Sequence, residues 1–424
     1  MFILGKRLSD GVPEGLEPSD LLRHLYILGK TGSGKSTALL RLLRMWLDEG
    51  HGCAVIDPHG DMVMELLRWI PKGRSGDVVV IDPSDRDRPL AWNPLYRVAP
   101  ERRPVVAQGL IAAFKGVWGD SWGPRMEYIL SNSLRLLLDA EIETLLGLQR
   151  LLVDDAYRSH LLAQCKDPVV FRFWRSEFDS WDSRFRREAV APIQNKIGQF
   201  LGDPLMRGIL GQRKSKLDLR ISMDRGRILL VNLSKGLVGE GTANLFGSLL
   251  VASIHEAALS RVDVLLSERR PFLLAVDEFQ NVATERFAAS LSEARKYGLG
   301  LVLSHQFLDQ LLPEVRASVL GNVGSMLLFR MGGKDAEEFA REFGREWPAS
   351  RFTDLSPYQA VISSGVGNGA PVARVIHLIG ADGREVLSNK DVEEIRRRSG
   401  ERFGNKGFMA IEKLNKWLRR TFLF

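Results

Sequence analysis

The sequence predicts an α/β fold in which a mainly parallel sheet, covered by helices on both faces, is interrupted by an all-α insertion domain. Three features of the 424-residue chain support this prediction. Short apolar runs alternate with helical patterns on either side of a central stretch, a glycine-rich turn joins the first run to a helix, and the central stretch lacks strand-like runs. Apolar strands separated by helices are typical of parallel sheets buried on both faces.

The first α/β stretch begins with an apolar run, Leu25–Leu28, that leads into the glycine-rich turn. The apolar spacing after the turn indicates a helix. The expected elements of this stretch are strands at 25–28, 53–57 and 78–82 and helices at 36–49 and 61–69.

The central stretch shows apolar residues at helical spacing only. Helices are expected at 105–117, 125–139, 142–152, 156–163, 168–178 and 187–201. Turn-forming and basic residues mark its end, namely Gly202-Asp-Pro204, Gly211 and the Lys/Arg-rich 213–220.

The α/β pattern then resumes. Strands are expected at 227–232, 272–277, 299–304, 325–330, 358–364 and 372–379, and helices near 241–260, 284–296 and 389–398. These patterns divide the chain into the first part of the α/β domain at 1–98, the all-α insertion at 99–222, the second part of the α/β domain at 223–400 and a basic amphipathic tail at 401–424.

The composition is that of a globular protein, with 45% hydrophobic and 26% charged residues. The formal charge of +7 is compatible with a polyanionic partner. Two cysteines cannot build a disulfide framework, and we find neither a signal peptide nor an apolar run long enough to span a bilayer. We therefore expect a cytoplasmic protein, or one peripheral to the inner face of the cell membrane.

A phosphate-binding motif stands between the first strand and helix. Gly29-Lys-Thr-Gly-Ser-Gly34-Lys35-Ser36 matches the P-loop pattern in full. Its glycines let backbone N–H groups converge on one anion at a helix N-terminus. Lys35 is expected to reach the β- and γ-phosphates of ATP, and the Ser36 hydroxyl to ligate Mg²⁺. The predicted nucleotide contacts are Gly29, Thr31, Gly32, Ser33, Gly34, Lys35, Ser36 and Thr37.

Hydrolysis needs a second component, which the acidic pair Asp277-Glu278 offers. The pair follows the apolar run 272–276, and open α/β sheets bind ligands at the carboxyl ends of their strands. Asp277 is predicted to hold Mg²⁺, and Glu278 to orient or deprotonate the attacking water. The pair argues against a small-molecule kinase, which needs no water-activating glutamate.

Gln306 and Arg295 each leave two interpretations open, and Arg330 is a further candidate. Gln306 is a γ-phosphate sensor if the strand at 299–304 lies between the two motif-bearing strands, and otherwise a loop residue. Arg295, before Gly298, is either an arginine finger acting on a neighbouring subunit or a helix-terminal cation. Arg330, at another strand end, is a second arginine candidate.

An ordered series of motifs then resembles a known family. The series is Asp57-Pro-His-Gly-Asp61, Asn93-Pro-Leu95, Asn232-Leu-Ser-Lys-Gly236, Asp277-Glu-Phe-Gln280, Ala294-Arg-Lys-Tyr-Gly-Leu299, His305-Gln306 and Phe329-Arg330. Over residues 20–345 the chain resembles the coupling-protein ATPases of type IV secretion and, more broadly, the HerA/FtsK superfamily of hexameric DNA pumps. The Ala294–Leu299 segment and Gln306 are the most specific parts of this resemblance.

The resemblance implies a RecA-like P-loop NTPase domain, a homohexameric ring, and ATP-driven movement of double- or single-stranded DNA through a central channel. It also implies the finger role for Arg295 and the sensor role for Gln306. Membrane-bound coupling proteins carry transmembrane helices before the P-loop, which here follows only 28 residues. We therefore expect either recruitment to a membrane pore by another protein, as in conjugation, or work on cytoplasmic DNA.

Contacts with DNA are expected from mobile cationic loops. Lys235, in the glycine-rich segment 234–241, is the first candidate, with an ordinary helix-entry loop as the alternative, and the stretch 282–286 is the second. In the insertion, arginines alternate with aromatic residues that either stack on bases or form the core of the small domain. These residues are Phe171, Arg172, Phe173, Trp174, Arg175, Phe178, Trp181, Arg184, Phe185, Arg186 and Arg187.

The tail is expected to form a basic amphipathic helix that lies on an anionic membrane or packs on a neighbouring subunit. Its apolar residues are Phe408, Ile411, Leu414, Trp417, Leu418 and Phe422, and its cations are Lys413, Lys416, Arg419 and Arg420.

Together these features predict a ring-forming, ATP-driven DNA translocase. Two alternatives remain: a nucleotide-gated adaptor that recruits DNA or a nuclease, and a HerA-like helper in DNA end processing. Glu278 argues against the adaptor, because a binding switch does not need a water-activating carboxylate.

Overall fold

A computed structural model of the chain describes residues 1–140, 142–365, 372–380 and 386–419. The chain forms two compact units. The α/β unit comprises 1–80, 220–234 and 257–396, and the helical unit comprises 81–219, 235–256 and 397–424.

The α/β unit is built on an 11-stranded sheet of described residues. The strands are β1 (Phe2–Arg7), β2 (Pro13–Leu16), β3 (Leu25–Leu28), β4 (Gly52–Asp57), β5 (Val78–Ile81), β6 (Ile228–Asn232), β7 (Phe272–Val276), β8 (Leu299–His305), β9 (Ser325–Phe329), β10 (Gln359–Ser364) and β11 (Val372–Leu378). Their order across the sheet is β2-β1-β11-β10-β9-β3-β8-β7-β4-β6-β5.

The centre of the sheet is parallel. Strand β3 pairs in parallel with β8 and β9, β7 with β8 and β4, and β4 with β6. Strands β10, β11, β1 and β2 extend one side by antiparallel pairing. Every residue of β3, β4, β7 and β8 is buried, as expected for parallel strands covered on both faces. The predicted fold class is confirmed.

The described helices follow the sequence pattern closely. Those that begin in the α/β unit are Pro18–Leu21, Lys35–Asp48, Asp61–Arg68, Glu285–Ala294, Pro313–Asn322, Gly333–Phe343, Ser350–Thr353 and Asn389–Phe403. Those that begin in the helical unit are Arg103–Trp118, Pro124–Asp139, Gly147–Val153, Asp155–Leu162, Pro168–Arg172, Ser183–Gly202, Pro204–Leu210, Leu219–Asp224, Lys235–Val238, Glu240–Leu259 and Gly407–Leu418.

Some elements were not expected from the sequence. The hairpin of β1 and β2 was missed because its strands are short and partly exposed, so that neither makes a clear apolar run. The helices at Pro313–Asn322 and Gly333–Phe343 were also missed. The helix expected over 168–178 is instead Pro168–Arg172 followed by a π-helical turn, Phe173–Glu177.

The bounds of the units differ from the predicted domains. The helical unit begins at Ile81 rather than 99 and also includes 235–256 and 397–424. Within it, the rings of Trp92 and Phe246 lie 5.6 Å apart, and Arg102 forms a 3.1 Å ion pair with Glu256. Helical periodicity shows that 240–259 is a helix, but it does not show which unit the helix packs against.

The C-terminal helix packs within its own chain. In the helical unit, Leu414 is buried, and the rings of Trp417 and Tyr157 are 6.0 Å apart. The Arg150 guanidinium lies 5.5 Å from the Trp417 ring. This packing replaces the expected choice between a membrane and a neighbouring subunit, while Phe408 and Ile411 remain exposed. The side chain of Leu418, together with Arg420 and Phe422, lies outside the described residues.

One helical stretch among the described residues, Glu240–Asp263, is long and apolar enough to cross a membrane, with a mean hydropathy of 1.2. The sequence shows no continuous apolar run of this length, because polar residues interrupt the apolar ones. In the structure 67% of this window is buried, which is the pattern of a core helix. One such helix is weak support for a membrane span.

Candidate active site

Three glycines give the P-loop its path. Gly32 and Gly34 have φ angles of +75° and +116°, in the region that favours glycine. A Cβ added at Gly29 would lie 2.5 Å from Cβ of Phe329. The loop therefore fits closely against β9 and delivers the chain into the helix Lys35–Asp48. This is the strand–loop–helix arrangement that anion binding requires.

Backbone hydrogen bonds fix the loop to both neighbouring strands. The Lys30 N–H donates to the Arg330 carbonyl at 2.9 Å, and the Gly29 N–H to the His305 carbonyl at 3.4 Å. The Lys35 ammonium is buried and donates to the carbonyls of Gly29 at 2.6 Å and Lys30 at 3.3 Å. Ser36, one residue on, is exposed.

Burial lowers the pKa of Lys35, and the carboxylates of Glu278 and Asp277 oppose this shift. The ammonium therefore lies close enough to the acidic pair to feel its charge. The structure thus brings the P-loop lysine and the acidic pair into one site, as the sequence analysis expected.

Asp277 offers an unsatisfied ligand atom. It is buried after β7, its N–H donates to the Ile56 carbonyl at 3.1 Å, and its Oδ1 has no hydrogen-bond partner among the described residues. Burial raises the pKa of Asp277, and the charges of Glu278 and Asp57 add to the shift. A buried, orphaned carboxylate oxygen is costly unless a cation satisfies it. Together with the exposed Ser36 hydroxyl, this oxygen fits Mg²⁺, which prefers oxygen ligands.

Glu278 sits in a strained backbone conformation. Its φ of +47° and ψ of 51° are left-handed, which costs a non-glycine residue roughly 1–2 kcal/mol. Such outliers are concentrated at functional sites, where the surrounding structure holds them. Glu278 directly precedes the short turn Phe279–Asn281.

Both oxygens of the Glu278 carboxylate accept hydrogen bonds. Gln306 Nε2 donates to Oε1 at 2.9 Å, and Gln280 Nε2 donates to Oε2 at 2.7 Å. Burial by itself would raise the pKa of Glu278, but these two hydrogen bonds and the charge of Lys35 outweigh it and lower the pKa below the ordinary value. Glu278 is therefore held ionised and in a fixed orientation.

Gln306 connects the acidic pair to the P-loop. Strand β8, which ends just before it, lies between β3 and β7, so the condition set for a sensor is met. Its Oε1 accepts from Thr31 Oγ1 at 3.1 Å while its Nε2 holds Glu278. Gln310 Oε1 in turn accepts from the Gln306 N–H at 3.1 Å. The sequence predicts no role for Gln280 or Gln310. The available signal is that Gln280 lies close in sequence to Glu278, and Gln310 to Gln306.

Comparison with known proteins identifies the family. Residues 3–250 match the family model DUF87, described as helicase HerA, central domain. The chain belongs to this HerA family. No curated protein matches the HerA-family chain.

Solved structures share its fold. The plasmid coupling protein TrwB in complex with ADP and Mg²⁺ matches with a TM-score of 0.64 at 17% identity, covering 89% of this chain and 91% of TrwB. VirB4 of Thermoanaerobacter pseudethanolicus matches with a TM-score of 0.61 at 16% identity, covering 90% of this chain and 96% of VirB4. These likenesses confirm the predicted fold.

Two motifs of the resemblance shape the backbone at the carboxyl ends of β4 and β6 in the HerA-family chain. Asp57 accepts from the backbone N–H groups of His59 at 2.9 Å and Val63 at 3.1 Å, and so fixes the start of the next helix. Gly60 has a φ of +92°, which favours glycine, and a Cβ added there would lie 2.5 Å from Asn232 Oδ1.

The two candidate arginines occupy different places in the HerA-family chain. Arg295 is exposed in the turn after Glu285–Ala294, and within the described part of the chain no carboxylate forms an ion pair with it. Arg330 is half-buried and directly follows β9, next to its own P-loop. An arginine that reaches a neighbour must be exposed, so the geometry is compatible with the finger role for Arg295 and places Arg330 beside its own site.

The candidate DNA contacts are less open than expected. Lys235 is half-buried and forms a 2.9 Å ion pair with Glu240, as in an ordinary helix entry. In the stretch 282–286, Val282 is buried and the Thr284 hydroxyl accepts from the Phe287 N–H at 3.1 Å. The side chain of Arg286 lies outside the described residues.

The aromatic residues of the insertion form a core. Phe173, Trp174 and Phe178 are buried, and the rings of Trp174 and Phe178 lie 4.7 Å apart. Arg184 pairs with Glu188 at 3.2 Å on the surface. Phe173, Trp174 and Phe178 thus belong to the core, whereas Trp181 and Phe185 are half-buried and Phe171 is exposed.

Proposed function

We propose that this HerA-family protein is an ATP-driven DNA translocase. The observation that carries the proposal is the hydrogen-bonded connection from Thr31 of the P-loop through Gln306 to the ionised Glu278. A nucleotide cradle joined to a fixed carboxylate is suited to hydrolysis and not to binding alone.

ATP and Mg²⁺ are the proposed ligands. The P-loop backbone and Lys35 would hold the phosphates, and Ser36 and Asp277 would hold Mg²⁺, which supplies charge neutralisation when bound. TrwB, which shares the fold, was solved with ADP and Mg²⁺, and that structure supports the proposal.

Glu278 is proposed to orient the attacking water. The best general base has a pKa near the working pH, whereas the pKa of Glu278 is lowered. A carboxylate of this kind accepts a hydrogen bond from water without being a strong base. Of the two roles expected from the sequence, orientation therefore fits better than deprotonation.

Assembly is proposed to complete the site. The exposed Arg295 would project into the active site of an adjacent subunit and stabilise transition-state charge, which makes hydrolysis depend on a closed ring. Family likeness suggests six identical subunits. The ring would act on double- or single-stranded DNA, in the cytoplasm or at the inner face of the membrane, with a pore or nuclease as partner.

Triplex displacement on duplex DNA tests the proposal. Wild-type protein should displace a third strand only with ATP and Mg²⁺, and Glu278→Gln should abolish displacement while still binding ATP. Glu293→Gln, a change at an exposed glutamate, is the matched control and should behave as wild type. ATP binding and DNA recruitment without displacement or DNA-stimulated hydrolysis would instead indicate the nucleotide-gated adaptor.

A further inference from the structure

A cavity lies within the helical unit, apart from the candidate active site. It has a volume of 530 Å³ and is formed by the turn at 211–216 and the C-terminal helix Gly407–Leu418. Cavities of this size accept small organic ligands. It contains none of the residues assigned to nucleotide binding or hydrolysis.

Cations surround the cavity. Its lining includes Arg213, Lys214, Lys216, Lys406 and Lys413, all exposed. Arg213 Nε donates to the Ile142 carbonyl at 2.9 Å, and Lys216 Nζ donates to the Gly404 carbonyl. Within the described part of the chain, none of the five forms an ion pair. Glu143 interacts electrostatically with Arg213 and Glu412 with Lys413, but neither carboxylate is part of the lining. The cations of the lining repel one another, and an anion bound in the cavity would relieve that repulsion.

The remaining lining is apolar and aromatic. Tyr96 and Trp417 contribute rings, and Ala410 and Leu414 contribute aliphatic surface from the C-terminal helix. Trp417 is held in place by Tyr157 and Arg150. The cavity thus combines a fixed aromatic wall with a cationic rim.

We propose that this cavity binds a nucleoside phosphate, either free or as one unit of a single strand. Lysines bind phosphate as point charges, and aromatic side chains stack on bases without regard to sequence. Rings and aliphatic surface match a planar base better than the carboxylate side chains of an acidic peptide. As a strand contact the cavity deepens the proposed function and rests on DNA being the substrate.

Fluorescence anisotropy tests the proposal with full-length protein and a labelled short oligothymidylate. Lys214→Glu/Lys413→Glu should weaken binding by about tenfold or more, and Ala410→Trp, which fills the cavity and keeps its charges, should weaken it by about fivefold or more. The control Lys166→Glu/Lys196→Glu makes the same charge change outside the lining and should leave affinity close to wild type. All three variants should keep ATP hydrolysis measured without DNA.

Competition by thymidine monophosphate and by longer oligonucleotides shows whether the cavity binds a free nucleotide or one unit of a strand. Thymidine monophosphate competing at wild-type protein, and failing to do so at Ala410→Trp, indicates a site for free nucleotide; competition only by longer strands indicates a strand contact. Both results support the proposal. Equal competition by polyglutamate, unchanged affinity in the variants, or no oligonucleotide binding by wild type would each overturn it.

The outcomes separate this inference from the proposed function. Triplex displacement by wild type together with unchanged oligonucleotide affinity in the cavity variants would support the translocase and contradict the cavity site. Oligonucleotide binding that depends on the cavity, without triplex displacement or DNA-stimulated hydrolysis, would support the cavity site and contradict the translocase.

Discussion

Gln306→Met tests most directly whether the hydrogen bonds that Gln306 makes to Thr31 and Glu278 contribute to ATP hydrolysis. Methionine keeps the approximate length of the side chain and removes both of its hydrogen bonds, at 3.1 Å to Thr31 and 2.9 Å to Glu278. A hydrogen bond to a charged group contributes about 1.5–3 kcal/mol. If that bond holds Glu278 in its reactive orientation, kcat should fall by about 10–150-fold.

The same substitution should change the pH profile. The Gln306 bond favours the ionised carboxylate, so its loss raises the pKa of Glu278. Hydrolysis requires ionised Glu278 and is lost as pH falls through that pKa, so the acid limb of kcat should move to higher pH. KM for ATP should change less than kcat, because the contact of Gln306 with the P-loop is to the Thr31 side chain, whereas the loop backbone and Lys35 are proposed to hold the phosphates.

Steady-state ATPase assays at saturating ATP across acidic pH measure both effects. Gln280→Met is the matched control: it removes the other bond to Glu278, at 2.7 Å, and leaves the connection to the P-loop. It should move the acid limb in the same direction. A Gln306→Met protein with the wild-type kcat and acid limb would refute the reasoning.

Three further predictions concern other parts of the chain. Gly29→Ala should abolish ATP binding in a calorimetric titration, because its Cβ would lie 2.5 Å from that of Phe329; binding at wild-type affinity would contradict the loop geometry. Arg295→Ala should be inactive alone but regain ATPase activity when mixed with Lys35→Ala, since mixed rings contain sites with both groups; no recovery would argue against action between subunits. Arg261→Met should lower the free energy of unfolding by about 3–5 kcal/mol in urea titration, because that buried guanidinium holds a carboxylate and two carbonyls; an unchanged midpoint would contradict this.

The sequence was most informative where chemistry is carried by contiguous residues. The P-loop and the pair Asp277-Glu278 could be read directly, because a motif between a strand and a helix has few alternative structures. The position of β8 between β3 and β7 could not be predicted, because strand order depends on long-range pairing that local patterns do not contain.

The contacts around Glu278 could not be predicted. They depend on its left-handed backbone, which brings the Gln280 amide onto its carboxylate. A single sequence gives no sign that a glutamate adopts this conformation. Lys235 shows another limit: the glycines around this lysine suggest mobility, but the local pattern does not show that Glu240, five residues later, forms an ion pair with it.

Single-turnover hydrolysis by Glu278→Gln tests the central claim most directly. With excess enzyme and labelled ATP, the variant should bind nucleotide at the wild-type affinity and hydrolyse it about 100-fold more slowly or worse, since misplacing a reacting group by about 1 Å can cost about 10²-fold. Hydrolysis at the wild-type rate would show that the carboxylate held by Gln306 and Gln280 does not act on the attacking water.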